Sequence, residues 1–270
     1  MKGRVMRTIR CLGFLALILV AAGSVFAAPV LVMFVDGNVQ VQSGSTWKAL
    51  DFDDKFDSAQ SVKLAAGALL ELKSQAGSVV TIAAPGTYLV DSLFKPKAET
   101  SAVATVAGKL EKLAKGGKVD MTVAGVRGSE AVEGKGTMWA GGTMEADEAF
   151  AEAEDMAKAG DYAGAWGVYM ESLELYLEAS DPTGASRAAY SASLAALAGG
   201  SGAKALSALR AAYPEDAGAL RGSYALALAT LSARYGAIAD AKTLLNTAIS
   251  SGWFDDPTAL ADAKSLLSGL

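Results

Sequence analysis

Apolar positions alternate or run in short blocks over residues 30–90, then recur every three or four residues from residue 144 onward. The first pattern predicts strands. Val30 to Val35 is a continuous apolar run suited to a buried strand, Asp36-Gly37 is a turn signal, and Asn38 to Gln42 alternates. Together they predict a β-hairpin. Ser43-Gly44-Ser45 turns the chain before Trp47 and Leu50. Gly67 to Leu72 predicts a further strand, which Ala76-Gly77 turns into Ser78 to Ile82 and Pro85-Gly86 turns again into Thr87 to Val90. Short strands separated by turns predict an all-β sandwich, barrel or roll.

Within Ser101 to Lys115, Val103, Val106, Leu110 and Leu113 fall on one helical stripe, with Lys109, Glu111, Lys112 and Lys115 between them. This predicts one amphipathic helix inserted in the β region, either capping an end of the sheet or serving as a partner-binding helix. Beyond Gly141-Gly142 the period becomes helical throughout. Ala149, Ala153, Met156 and Ala157 form one stripe, Gly160-Asp161 breaks it, and Ala163 to Ala179 returns with Trp166, Tyr169, Leu173 and Tyr176. Ser223 to Tyr235, Gly236, and Ala241, Leu245, Ala248 and Ile249 repeat the plan, and Gly160 to Ala165 spans the same five positions as Gly236 to Ala241. Thr183 to Ala198 and Ala203 to Ala212 read as a degenerate pair between them, and Pro257 to Leu267 as a capping helix. The expected architecture has two domains, β then α: an all-β sandwich or roll with one inserted helix, then a helical repeat solenoid.

The N-terminus carries a different pattern. Lys2, Arg4, Arg7 and Arg10 precede the apolar run Leu12 to Val20, and Val25-Phe26-Ala27 offers small residues for signal-peptidase cleavage before Ala28. The expected domains are therefore a leader over 1–27, a β domain over 28–143 and a helical domain over 144–270. The expected location is the periplasm or the medium. The alternative is an inner-membrane anchor, because no charge appears between Cys11 and Val35.

Composition narrows the chemistry. The chain has 270 residues, 51% of them hydrophobic, and no histidine, so the usual general base and commonest transition-metal ligand are missing. Cys11 is the one cysteine and lies in the leader. Removing the leader's 4 basic groups from 24 leaves 20 against 29 acidic ones, a net charge of −9 that disfavours nucleic acid and anionic membrane surfaces. No calcium-loop motif is evident, and no metal or other cofactor is expected. Asp51 with Asp53 or Asp54 is the one carboxylate cluster that invites a hydrolytic reading; Asp51 to Lys55 reads better as a polar turn. Trp166, Tyr169, Tyr176 and Tyr190 are expected in the core rather than as a stacking stripe. Trp47, Tyr88 and Trp139 are the aromatic candidates for a glycan surface.

Two resemblances follow from these residues. Asp36 to Val41, then Trp47 and Leu50, the strand pair 68–72 and 79–82, Pro85-Gly86-Thr87, and above all Gly125-Val126-Arg127-Gly128-Ser129 resemble the FecR-type domain of bacterial envelope proteins. Ser129 stands where that signature has threonine. Arg127 is expected to lock a loop rather than to act chemically. The resemblance implies a periplasmic or surface β domain used for protein or glycan contact. Its sigma-factor role does not carry over, because only about ten residues precede the apolar run and they look like a signal-peptide n-region. Gly160, Asp161, Tyr162, Ala165 and Tyr169, and later Gly236, Ala241, Leu245 and Ala248, resemble the tetratricopeptide repeat, a helix–turn–helix unit of ~34 residues. Ser172 takes the place of that family's small residue. The resemblance implies a solenoid that binds a protein or peptide. The expected function is thus a non-catalytic envelope adaptor or scaffold, the alternative a peptidoglycan- or polysaccharide-binding protein acting through the β domain.

Overall fold

The computed structural model describes residues 28–95, 99–116 and 143–270. The leader through Ala27, the Gly125–Ser129 signature, Trp139 and the linker at 134–142 lie outside the described residues.

Among the described residues, eight strands form two antiparallel four-stranded sheets: β1 (Pro29–Asp36), β2 (Val39–Ser43), β3 (Thr46–Ala49), β4 (Lys55–Asp57), β5 (Ser61–Leu64), β6 (Leu69–Ser74), β7 (Val79–Ile82) and β8 (Gly86–Leu89). One sheet runs β4-β1-β6-β7, the other β3-β2-β5-β8. Val30, Val32, Leu70, Leu72 and Ile82 from the first meet Val39, Val41, Val62 and Leu64 from the second in a shared apolar core. The strands over 79–82 and 69–74 pair as a hairpin, as the sequence predicts.

The hairpin expected at Asp36-Gly37 does not form. β1 pairs with β4 and β6, and β2 with β3 and β5, so this turn carries the chain from one sheet to the other. Gly37 sits at φ +75°, and a Cβ there would lie 3.1 Å from the Ala68 Cα. The turn signal was correct, but local pattern cannot show which sheet receives the next strand. Val90 begins a short helix, α1 (Val90–Leu93), instead of ending a strand, and strands β4 and β5 had no distinct sequence signal. Residues 51–54 are a polar turn: the Asp54 carboxylate accepts from the Asp51 N–H at 2.8 Å and the Asp51 carboxylate from the Phe52 N–H at 2.7 Å.

The helical region holds α2 (Ser101–Ala114), α3 (Met144–Lys158), α4 (Tyr162–Glu178), α5 (Pro182–Ala198), α6 (Gly202–Arg210), α7 (Arg221–Arg234), α8 (Ile238–Ser250) and α9 (Pro257–Gly269). After α2 the helices come in pairs. First helices begin at Met144, Pro182 and Arg221, 38 and 39 residues apart (182 − 144 and 221 − 182). That exceeds the ~34 residues of a tetratricopeptide unit. The turns are built alike. Gly160, Ser180, Gly200 and Gly236 all take left-handed φ, and the next residue's N–H returns to a carbonyl five positions back, as in Asp161 N–H to Met156 and Asp181 N–H to Tyr176. Asp161, Asp181 and Ser201 then cap the following helix by accepting from the N–H three residues on. One residue ends a helix and its neighbour starts the next, which forces close antiparallel packing.

Of the repeat residues, Ala165, Tyr169, Ala241, Leu245 and Ala248 are buried, Tyr162 is half-buried, and Gly160 and Gly236 make the turns. Ser172 is fully buried and donates to the Ala146 carbonyl at 2.8 Å, tying α4 to α3. Tyr169, Tyr176 and Tyr190 lie in the core, with Trp166 packed at its margin.

The two regions share an interface. A bulge between Val32 and Phe34 shifts the β1 register, and Leu69 then faces the helical core while Leu70 and Leu72 face the sandwich core. β6 is therefore buried on both faces. Its one charged residue in that stretch, Glu71, is 4% exposed and accepts from the Thr81 hydroxyl, the Ser201 hydroxyl and the Ala203 N–H at 3.0, 3.0 and 3.1 Å. A sheet carboxylate thus serves the N-terminus of α6, where the helix dipole favours negative charge. The Ala83 N–H donates to the Tyr235 carbonyl at 2.8 Å, Ser207 to Asp36 at 3.2 Å and Arg210 to the Gly67 carbonyl at 3.1 Å. Tyr235 lies over Gly202, where a Cβ would fall 1.9 Å from its hydroxyl oxygen.

Candidate helix-binding face and adjoining cleft

Helix α2 does not cap the sheet. It lies across the first helices of the series, against α5, α7 and α9. The stripe read from the sequence explains the seat. Val103, Val106 and Leu110 are buried with Ala107. Val103 and Val106 meet Leu226, Ala229, Ala233, Ala259, Ala263 and Leu266, while Leu110 joins the core around α5. Alanines at the crossing let the backbones approach, and Gly269 carries this furthest, since a Cβ there would lie 2.8 Å from the Ala102 Cβ. Among the described residues the stripe of α2 joins the helical clusters and not the sandwich core.

The rim of the seat is ionic. Lys109 Nζ lies 2.7 Å from a carboxylate oxygen of Asp262. Arg234 bonds Glu111 through one guanidinium nitrogen and Glu99, at 3.2 Å, through another. Burial pulls the Arg234 pKa down, but its hydrogen bond to Glu111 and the surrounding negative charge outweigh that and raise it. Burial likewise pushes the neighbouring Tyr235 hydroxyl up to about 12.

Beside α2 opens a broad cleft of ≈ 860 Å³. Ser78 and the edge strand β7 form one wall, Glu99, Thr100, Val103 and Glu111 of the α2 segment another, and Arg234 to Gly236 the floor. The Tyr88 hydroxyl, also on the lining, donates to the Ala84 carbonyl at 3.0 Å, and burial raises its pKa. Tyr88 is therefore a partly buried anchor of the β7–β8 turn, whereas Trp47 on the edge strand β3 and Phe52 on the polar turn stand out from the surface, 37% and 67% exposed.

A second polar cluster braces α3 to α5. Tyr176 bonds Asp147, and Arg187 reaches Asp147 at 3.2 Å while lying 4.3 Å over the Phe150 ring. Burial first, and then the bond to Asp147, push the Tyr176 hydroxyl to about 12. These groups tie α3, α4 and α5 together. Among the described residues no group of three or more His, Cys, Asp or Glu is placed to hold a metal ion, and no helix is long and apolar enough to cross a membrane.

The sequence pointed to α2 but not to its seat. Glu71, Arg234, Tyr235 and Asp262 carried no motif, and the one available signal was a lone glutamate in an otherwise apolar strand. Comparison of the chain with known families, with curated proteins and with solved structures finds no match.

Proposed function

We propose that this protein is a non-catalytic envelope adaptor that binds a protein or peptide partner through its helical repeats, while the β domain docks on another envelope component. The observation that supports it most is that the face formed by the first helices already holds an amphipathic helix in a small-residue seat with an ionic rim. Such a face is selective for helices with a matching stripe and matching flanking charge. We read the leader as an export signal to the periplasm or the medium with cleavage before Ala28, the helix pairs as a lengthened tetratricopeptide-like series and the sandwich as a FecR-type module. Exposed Trp47 and Phe52 support the second reading, a glycan contact through the β domain.

The test uses the chain from Ala28 to Leu270, because a cut near Gly142 would remove α2 from its seat. Immobilised chain is presented with solubilised envelope proteins and, separately, mixed with peptidoglycan sacculi. A defined protein that is retained, and released by an excess of synthetic peptide 99–116, bears the adaptor reading out. Sedimentation with sacculi that is lost in Trp47→Ala and Phe52→Ala replaces it with the glycan reading. Retention of nothing in either arm overturns both.

A further inference from the structure

We propose that α2 is a built-in competitor, which occupies the partner-binding face in the resting protein and must leave it for a partner's amphipathic helix to bind. The inference rests on the adaptor reading and adds its regulation.

Three features of α2 bear on its release. Its 14 residues are weakly helical by themselves. Val103, Thr105 and Val106 are β-branched, and Gly108 sits at mid-helix, where a Cβ would meet nothing within 4 Å. A helix of this length is marginal on its own, so α2 is held mainly by the seat. Its polar fastenings are rim pairs open to water on one side, which exchange partners at little cost. Finally, the cleft runs along one flank of α2 and reaches Val103 of its apolar stripe. An incoming helix can therefore begin to engage Arg234 and the apolar seat before α2 has fully left. The helices α5, α7 and α9 beneath pack on their own neighbours as well, so the seat survives the departure. The fitting partner is a helix with apolar residues at i, i+3, i+4 and i+7, as in Val103, Val106, Ala107 and Leu110, a basic residue at i+6 for Asp262 and an acidic one at i+8 for Arg234.

The experiment compares the chain 28–270 with its Gly108→Ala variant, which strengthens α2 without touching the seat. The probe is fluorescein-labelled peptide 99–116, followed by anisotropy, and native-state hydrogen exchange is recorded on both proteins. In the wild-type chain, amides of α2 are expected to exchange at least about tenfold faster than those of α5 and α7, because α2 opens without global unfolding. The labelled peptide is expected to bind, with an apparent Kd about fivefold weaker for Gly108→Ala, as the open fraction falls by that factor. Equal Kd values for the two chains would place the peptide elsewhere and overturn the inference, while an adaptor using another surface would stand. Exchange of α2 no faster than α5 and α7 overturns it as well, as does a peptide that fails to bind. The envelope-protein arm above fails or succeeds separately, since it asks whether any partner exists.

Discussion

Replacing Glu71 should loosen the joint between the sheet and the helices more than any other single change on that interface. The carboxylate is buried and accepts from two hydroxyls and one backbone N–H, two of the three donors belonging to the α6 end of the helical region. Hydrogen bonds to a charged acceptor contribute about 1.5–3 kcal/mol each, offset by the cost of drying the carboxylate. Glu71→Ala leaves the Ala203 N–H buried without its acceptor and opens a cavity, so the expected loss is about 3–5 kcal/mol. Glu71→Gln keeps one oxygen but turns an amide N–H₂ toward donors, for an expected loss of about 2 kcal/mol. At about 2–4 °C per kcal/mol for a chain of this size, Glu71→Ala should lower Tm by about 10 °C. The assay is urea unfolding of residues 28–270, read in parallel by far-ultraviolet circular dichroism and tryptophan fluorescence. A double-mutant cycle with Ser201→Ala should return a coupling of at least about 1 kcal/mol. A loss under about 1 kcal/mol for Glu71→Ala, with no coupling to Ser201, would mean that drying the carboxylate cancels its bonds, and the reasoning would be refuted.

Other outcomes are expected from single sites. Gly184→Ala places a Cβ 2.4 Å from the Tyr176 ring and 2.6 Å from the Asp181 carboxylate, and should cost about 1–3 kcal/mol in the same unfolding assay. Tyr190→Phe removes a hydroxyl that is buried without a partner among the described residues, so thermal unfolding should show it neutral or more stable by up to about 1 kcal/mol, whereas a loss would reveal a bond to that hydroxyl. Asp161→Ala removes the cap on α4 and should cost about 1 kcal/mol, with no change at the sheet. Tyr88, Tyr169, Tyr176, Tyr190, Tyr224 and Tyr235 all have pKa values raised chiefly by burial. Their neutral forms are favoured in the folded state, so this contribution to stability is complete below about pH 10 and is lost as pH rises through the folded values. A spectrophotometric titration at fixed temperature should show phenolate absorbance appearing late and together with unfolding.

The series of helices was legible because each turn repeats the same local demand. A residue that tolerates left-handed φ is followed by a cap or a small residue, as at Gly160-Asp161 and Gly236-Ala237, and both halves of that demand are written in adjacent letters. The apolar stripe of α2 was legible for the same reason. Its destination was not, since Val106 and Leu266 come together through packing that no local period encodes. Likewise, Asp36-Gly37 announced a turn, yet its strands went to different sheets because register and sheet membership depend on β6 and β5, far along the chain. Glu71 shows the limit most clearly. A lone acid in an apolar strand reads as an outward-facing residue until the α6 terminus is known to cover it.

The seating of α2 also orders events during biosynthesis. Its ionic partners lie far ahead in the chain: Glu99 and Glu111 wait for Arg234, 135 and 123 positions later, and Lys109 waits for Asp262, 153 positions later. A chain emerging N-terminus first can complete the sandwich while the valine stripe of α2 still has nothing to rest on. Contacts of such long separation form late, and exposed apolar surface in the interval invites chaperones and proteases. Any nascent chain stalled before Asp262 would leave that stripe without its α9 contacts, which gives quality control a report on whether α9 has been made.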